Sequence, residues 1–433
     1  MGTSQGLPKD RQPIETPIRQ VKKPLSRSQK HRQKKLFDFK ICYNRCIIRK
    51  LQIPIGVIML EIIAVDDKRK QKQFVEFQYQ LYKDCPQFTP PFKNDIYMMM
   101  NKRKHPFYDH SDSDHFLAVR DGKVVGKIAA LENKPFNVYH ECKDAEFYLF
   151  DCIDDQEVAN ALFDRVKNWA KNRGLTRIVG PKGYGPLDGY GILIEGFQHR
   201  QMMNMMNYNY SYYRTLVETY GFTKEVDFVS SYVKLQEFEL PEKVAHAVEI
   251  VKKRGSLRVM NFRDTRHVLE WKYKIKEAYN KAFVNNWEYY PLSDKELEYA
   301  VSNAIQVVLP ELLQIILNKD DEIVGFVLPF PDVSAAMQQG KGKLGPIQIF
   351  RLLKELKTTN WLDFNGIGIL PEYQGMGGNA LIFDALHRAA KQNPRFIHSE
   401  LTQVAETATQ MRKDLENLGV HYYKNHRVYQ LAI

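Results

Sequence analysis

The sequence predicts a mixed α/β protein built from two similar units, each a sheet of parallel and antiparallel strands flanked by helices. Three observations lead there. Two hairpins of apolar strands stand 199 positions apart, with Gly126 and Gly325 in matching places. Two helices that end at a glycine and run into an apolar strand stand 198 positions apart, at Gly221 and Gly419. Elsewhere strands alternate with helical patterns, the order that makes parallel neighbours through crossovers.

In the first unit, residues 60–65 open the sheet and 74–81 are helical. The hairpin spans 115–131 around an Asp121-Gly122 turn, a strong hairpin signal because both central residues tolerate positive φ. Strand 145–152, helix 158–169, strand 176–179, a helix ending at Tyr220 and strand 226–235 complete this unit. The second opens at 257–262 and continues with a helix around 271–282 and a hairpin at 312–328. A helix to Ala390, strand 395–401, helix 407–418 and final strand 428–432 follow. Residues 236–241 read as the linker, so the expected division is 1–58, 59–235 and 236–433.

At 433 residues the chain has room for about two to three domains at roughly 100–200 residues each. A hydrophobic content of 44% supplies their cores. The cysteines (Cys42, Cys46, Cys85, Cys142 and Cys152) are odd in number and scattered. That pattern excludes a disulfide framework and a structural zinc site and points to a reducing, cytoplasmic setting. No apolar run approaches the ~20 residues of a membrane span, so no membrane partner is expected. The net charge of +12 is concentrated at one end: residues 1–58 hold fourteen Lys or Arg against three Asp or Glu. This basic arm has no periodicity and is expected to be disordered. It reads in three ways: an electrostatic contact for nucleic acid or anionic membrane, a targeting segment, or sequence upstream of a start at Met59. Its removal is expected to leave the melting temperature and ligand affinity unchanged, measured by calorimetry on both forms.

The most informative stretch runs Trp361-Leu-Asp-Phe-Asn-Gly-Ile-Gly-Ile-Leu-Pro-Glu-Tyr-Gln-Gly-Met-Gly-Gly-Asn379 and on into an amphipathic helix. Glycines between a strand and a helix let consecutive N–H groups converge on one point, where the helix N-terminus adds partial positive charge. That point suits a diphosphate. No Gly-Lys-Ser or Gly-Lys-Thr is present, so this is not a nucleotide triphosphate loop, and Gln374 and Pro371 break the dinucleotide fingerprint.

The stretch resembles the acyl-CoA pyrophosphate loop of the GNAT N-acyltransferase superfamily, on Ile369, Pro371, Gln374 and Gly377. Asn379 stands where that family has Gly or Ala. The body from about Met59 resembles bacterial tandem GNAT proteins, which implies two tandem GNAT-like domains. The resemblance implies an acyl-CoA, expected to be acetyl-CoA, as co-substrate, bound by Ile367, Gly368 and Ile369 of the strand and by Gln374, Gly375, Met376, Gly377, Gly378 and Asn379 of the loop. It implies an amine acceptor, a small molecule or peptide, and no metal. Nucleic acid is expected to meet only the basic arm. The first unit has Asp151-Cys-Ile-Asp-Asp-Gln-Glu157 in place of the glycine loop. Carboxylates there repel a diphosphate, so CoA is expected at the second unit alone.

An amine attacking a thioester needs a base, a donor to the developing oxyanion and an acid for the thiolate. The resemblance places a Tyr four residues before the glycine that ends the next helix, where this chain has Leu415. Water, Tyr422 or Tyr423 is then the substitute acid, Glu400 and Glu406 are the candidate bases, and Leu415→Tyr is expected to be tolerated or to raise the rate. Leu415 and Asn379 keep a second reading open, a non-catalytic CoA-binding or scaffold module. The group His105, Asp109, His110, Asp112, Asp114 and His115 reads as a solvated loop rather than a metal site. The glycine-rich run 180–191 reads as an irregular loop at the cleft between units, and the Met- and Tyr-rich run 202–213 as core packing or an adaptable pocket lining.

Overall fold

The computed structural model describes residues 59–433, apart from 186–187, 204–205 and Gly375; the basic arm and the expectations attached to it lie outside the described residues. The first half runs β1 (Leu60–Ala64), α1 (Lys68–Leu81), α2 (Lys93–Met99), β2 (Asp112–Arg120), β3 (Lys123–Glu132), α3 (Lys134–Tyr139), β4 (Asp144–Cys152), α4 (Gln156–Lys171), β5 (Arg177–Gly180), β6 (Ile192–Glu195), α5 (Tyr212–Tyr220) and β7 (Thr223–Lys234). The second runs α6 (Glu242–Arg254), β8 (Arg258–Asn261), α7 (Thr265–Glu270), α8 (Lys272–Ala282), α9 (Asp294–Ala304), β9 (Gln314–Leu317), β10 (Ile323–Pro331), α10 (Ser334–Gly340), α11 (Pro346–Thr358), β11 (Trp361–Ile369), α12 (Gly378–Gln392), β12 (His398–Ala405), α13 (Thr409–Asn417) and β13 (His421–Ala432).

The helices form where apolar residues recur at three- and four-residue spacing. In α4, Val158, Leu162, Phe163, Val166 and Trp169 are all buried, and they pack with Phe147 and Phe222 into the first core. In α12, Leu381, Ile382, Ala385 and Leu386 are buried and meet Leu362, Phe364 and Leu401 in the second core. Each fully buried Leu or Phe stabilises by roughly 1.5–3 kcal/mol.

The strands join in one sheet in the order β1-β2-β3-β4-β5-β13-β7-β12-β11-β10-β9-β8, with β6 pairing β13 off this path. This corrects the expected closure of each unit by its own last strand. β13 pairs antiparallel with β5, and β7 pairs antiparallel with β12. The two last strands also pair with each other, from His421↔Tyr232 to Gln430↔Thr223. Each half thus hands its final strand to the other. The physical reason is that both strands are long, at 12 residues each. Paired side by side at the centre of one sheet they leave no exposed edge where two separate sheets would have left two. Both are launched by glycines in the left-handed region, Gly221 at φ 113 and Gly419 at φ 70.

The repeat seen in the sequence is a structural one. Gly126 sits opposite Cys152 at the end of β4, and Gly325 opposite Ile369 at the end of β11. The halves differ most between their third and fourth sheet strands. The six-residue α3 makes that link in the first half, whereas the second inserts the α10–α11 hairpin. The sequence reading passed over that hairpin, along with α6 and α9. Among the described residues no helix is long and apolar enough to cross a membrane.

Candidate active site

β11 and β12 run parallel and pair from Trp361↔His398 to Phe364↔Leu401, then part. The parting has a local cause. Against β10, the register of β11 gains one residue between Phe364 and Ile367, and Gly366 takes φ 83 there. An extra residue bends a strand and frees its edge from the next one. The first half uses the same device: β4 gains a residue between Tyr148 and Asp151, with Leu149 at φ 49. A leucine in that region costs of order 1–3 kcal/mol, so the bulge is kept there without the glycine that would ease it.

At the throat of the wedge, Asp363 and Glu400 are ladder partners on adjacent strands, and both are fully buried. Lys424 Nζ lies 2.8 Å from Glu400 Oε2, and the Tyr423 hydroxyl donates to the same oxygen. Thr402 Oγ1 donates to Asp363 Oδ1 at 3.2 Å. Glu400 Oε1 and Asp363 Oδ2 make no hydrogen bond among the described residues. Burial, and next the charge of Glu400, drives the Asp363 carboxyl well above the usual carboxylate range. Burial thus favours the neutral form of the Asp363 carboxyl. Burial and the Glu400 carboxylate also raise the Tyr423 phenol, so it stays protonated and able to donate. Lys424 in turn donates to the Arg200 carbonyl at 2.8 Å. Arg200 pairs with Asp332, which accepts from Ser334.

A carboxyl whose folded pKa lies above its unfolded one contributes stability below the unfolded value, about 3.9, and loses it as pH rises toward the folded value. Asp363→Asn removes that titration. In urea denaturation the variant should therefore gain on the parent as pH rises above about 4; a gap that narrows as pH rises would show Asp363 ionised in the folded protein.

The loop after β11 leads into α12, whose N-cap is Gly377 at φ 89, with no side chain capping the first turn. The N–H groups there are available to an anion. The geometry is tight on the inner side. A Cβ on Gly377 would come within 2.4 Å of Val251 in α6, and one on Gly378 within 2.9 Å of Ile369. Beyond Val251, α6 ends in the exposed run Lys252-Lys253-Arg254. In the first half the equivalent helix start is already taken. Asp155 accepts from the N–H groups of Glu157 and Val158 at 3.0 and 3.2 Å, and Arg120 pairs with it at 2.6 Å. Asp151 pairs with the buried Lys127 at 3.1 Å.

The residues singled out in the sequence fall as follows. Ile367, Gly368 and Ile369 lie on β11 beyond the point of parting. Gln374 turns its amide back to the Ile369 carbonyl at 3.2 Å, bracing the loop with its side chain. Met376 is half exposed, at 52%, and Asn379 donates to Asp414 of α13; Gly375 lies outside the described residues. Glu400 and Tyr423 come together. Glu406 does not join them, because it pairs with Lys224 at 2.6 Å and accepts from the Asp227 N–H at 3.2 Å. Tyr422 donates to the Arg412 carbonyl at 3.5 Å and packs against the second core. Asp363, Thr402, Lys424 and Arg200 were missed. The available signal was Asp363, a lone charge inside the apolar strand 361–369.

Leu415 is fully buried in the second core, which argues against the expectation that Leu415→Tyr is tolerated. A ring and hydroxyl add volume to a core position, and overpacking costs about 1–3 kcal/mol. A matching drop in Tm is expected, with no gain in rate.

His105 and His115 are not in a solvated loop: both are buried, and burial pushes their imidazoles down to about 4 and about 3. Tyr184, from the glycine-rich run, packs against both rings and bonds His115 Nε2 at 2.8 Å. Asp188 folds that run onto itself by accepting from the N–H groups of Tyr184 and Gly185. Among the described residues no cluster of three or more His, Cys, Asp or Glu is arranged to hold a metal.

A cavity of about 720 Å³ lies alongside. Its wall is largely apolar and includes Ile192, Met203, Phe330, Val333, Met337 and Leu352. The Met- and Tyr-rich run serves both roles foreseen for it, with Met206 in the core and Met203 and Tyr208 on the cavity. The cavity abuts the acid pair through two short segments. In residues 200–203 and 332–334, Met203 and Val333 face the cavity while Arg200, Asp332 and Ser334 belong to the polar network.

No family model matches the chain. The chain is 27% identical over 382 residues to the bacterial ceramide synthase of Caulobacter vibrioides, covering 86% of this chain and 98% of that one. It is 25% identical over 376 residues to protein YghO of Escherichia coli, covering 85% and 94%. Among solved structures, the GCN5-related glucosamine N-acetyltransferase region of a fungal multi-domain GH3 β-N-acetylglucosaminidase superposes with a TM-score of 0.52 and 11% identity, over 87% of this chain and 38% of that one. With its twofold repeat of bulged fourth strand, parting neighbour and following helix, the chain has the fold of that GCN5-related N-acetyltransferase region, built as a tandem of two similar units.

Proposed function

We propose that the protein is an acyl-CoA-dependent N-acyltransferase whose acceptor is a long-chain amine of the sphingoid type. One observation carries the reading: the parted strands β11 and β12 hold a buried acid pair at their throat and lead at their open end to an uncapped helix N-terminus. The first turn of α12, with the α6 cations nearby, suits the diphosphate of CoA. The edge of β11 beyond the parting, at 366–369, suits the amide groups of the pantetheine arm. The amine nitrogen attacks the thioester carbonyl carbon, a C–N bond forms and the C–S bond breaks. Glu400 takes the proton that the nitrogen loses, and the Tyr423 phenol supplies one to the departing thiolate. Lys424 holds Glu400 in place until then.

The acceptor class rests on two supports. The cavity beside the acid pair is largely apolar and, at about 720 Å³, falls within the usual size for ligand sites. The Caulobacter relative is a ceramide synthase by name, and a ceramide is an N-acylated sphingoid base. Thiol release from acetyl-CoA and from palmitoyl-CoA, measured with sphinganine, glucosamine and a lysine peptide, tests the reading. Release that depends on sphinganine is expected. CoA binding without thiol release on any amine would establish a binding module instead.

A further inference from the structure

The α10–α11 hairpin stands out from the rest of the surface. Leu344, Ile347, Ile349, Phe350 and Leu353 are all exposed, Ile347 to 71% and Phe350 to 68%. Five of the thirteen exposed large hydrophobics among the described residues therefore fall within ten positions. Their inward neighbours Leu352 and Leu356 pack on Val333 and Met337, so the helix is anchored by one face and bare on the other. Around the bare face stand Lys341, Lys343, Arg351, Lys354 and Lys357, all exposed. None of the five joins an ion pair among the described residues, and the one acidic residue of the stretch, Glu355, is half-buried. Apolar side chains ringed by unpaired cations on one short helix are the composition of an interfacial helix, which lies in the headgroup layer rather than crossing it.

Continuity with the cavity supplies the second argument. Leu344, Ile349 and Leu353 are exposed and also line the cavity, so the mouth opens at this hairpin. A monomer rarely leaves such a patch bare unless something covers it.

We propose that the α10–α11 hairpin seats the protein on the surface of an anionic lipid bilayer, so that a membrane-dissolved substrate enters the cavity without crossing water. The expectation of no membrane partner concerned spans; α11, at 13 residues, is a surface element. The docking stands on its own, whereas the entry route rests on the long-chain amine reading above.

The test is flotation of the full chain with vesicles of phosphatidylcholine alone and of phosphatidylcholine and phosphatidylglycerol in equal parts. Binding is expected only to the anionic vesicles, weakening with salt. Ile347→Ser with Phe350→Ser, both at exposed positions, should weaken partitioning about tenfold or more. Arg351→Glu with Lys354→Glu should remove the preference for anionic lipid. Unchanged partitioning in both variants would overturn the proposal and assign the binding to the basic arm. A parent that ignores vesicles but dimerises, and becomes monomeric on the Ile347→Ser and Phe350→Ser change, would make this face a contact between copies and equally overturn it. Thiol release from a soluble short-chain amine separates the two readings, since it reports on the active site whatever the vesicles do.

Discussion

Gly377→Asp is expected to abolish CoA binding in isothermal titration, a loss of at least about a hundredfold. Three effects add. An aspartate at φ 89 sits in a backbone region that costs a side chain about 1–2 kcal/mol. Its Cβ would meet Val251 at 2.4 Å and push α6 away from α12. Its carboxylate would then face the diphosphate, where each 1.4 kcal/mol of repulsion is a factor of ten in affinity. Because strain alone would reduce binding if the helix start were disordered, Met376→Glu is the companion variant. Met376 is half exposed, so the added charge costs little stability and should still lower affinity roughly tenfold at low salt. Unchanged affinity in both would remove the diphosphate from this loop.

Lys424→Met should be the most destabilising single change near the site, by about 3–5 kcal/mol in urea denaturation, because it leaves the Glu400 carboxylate buried without its cation. Lys424 and Glu400 are both almost wholly shielded, at 4% and 0% exposure. Adding Glu400→Gln should recover most of the loss, since the pair would then be neutral on both sides. A single change costing less than about 1 kcal/mol would mean that Glu400 is protonated or hydrated in the native state. Activity separates stability from chemistry: the double variant should fold well and release no thiol.

The strand–glycine–helix passage was legible because its chemistry is local. Pro371, Gly377 and Gly378 declare a turn and a helix start within ten residues, and the structure places a helix there from Gly378. The hairpins were legible for the same reason, through Asp121-Gly122 and the alternation around it. The strand exchange was not. Nothing in residues 223–234 or 421–432 says which neighbour they will choose, because backbone pairing is indifferent to the half from which a strand comes. The acid pair was half legible. Glu400 sits next to an expected acyl site, but its partnership with Asp363 depends on parallel register between strands that α12 separates in sequence. Glu406 looked equivalent to Glu400 and differs only because Lys224 and the Asp227 amide reach it first. Helices α10 and α11 escaped notice because a bare amphipathic face reads in sequence as an ordinary buried one.

The exchanged strands also set the timetable of folding. As the chain leaves the ribosome, the first half emerges with β5 at an open edge, and β13, which will cover that edge, is made only after the second half. Tyr429, fully buried, belongs to the first half's core although it lies four residues from the C-terminus. The N-terminal unit therefore waits through some two hundred residues of synthesis before its sheet closes, which makes the fold one of long-range contacts and slow assembly. A nascent chain halted after β7 is an aggregation hazard rather than a finished domain. Deleting β13 would wound the first half's core first, and the two halves are inherited, folded and lost together.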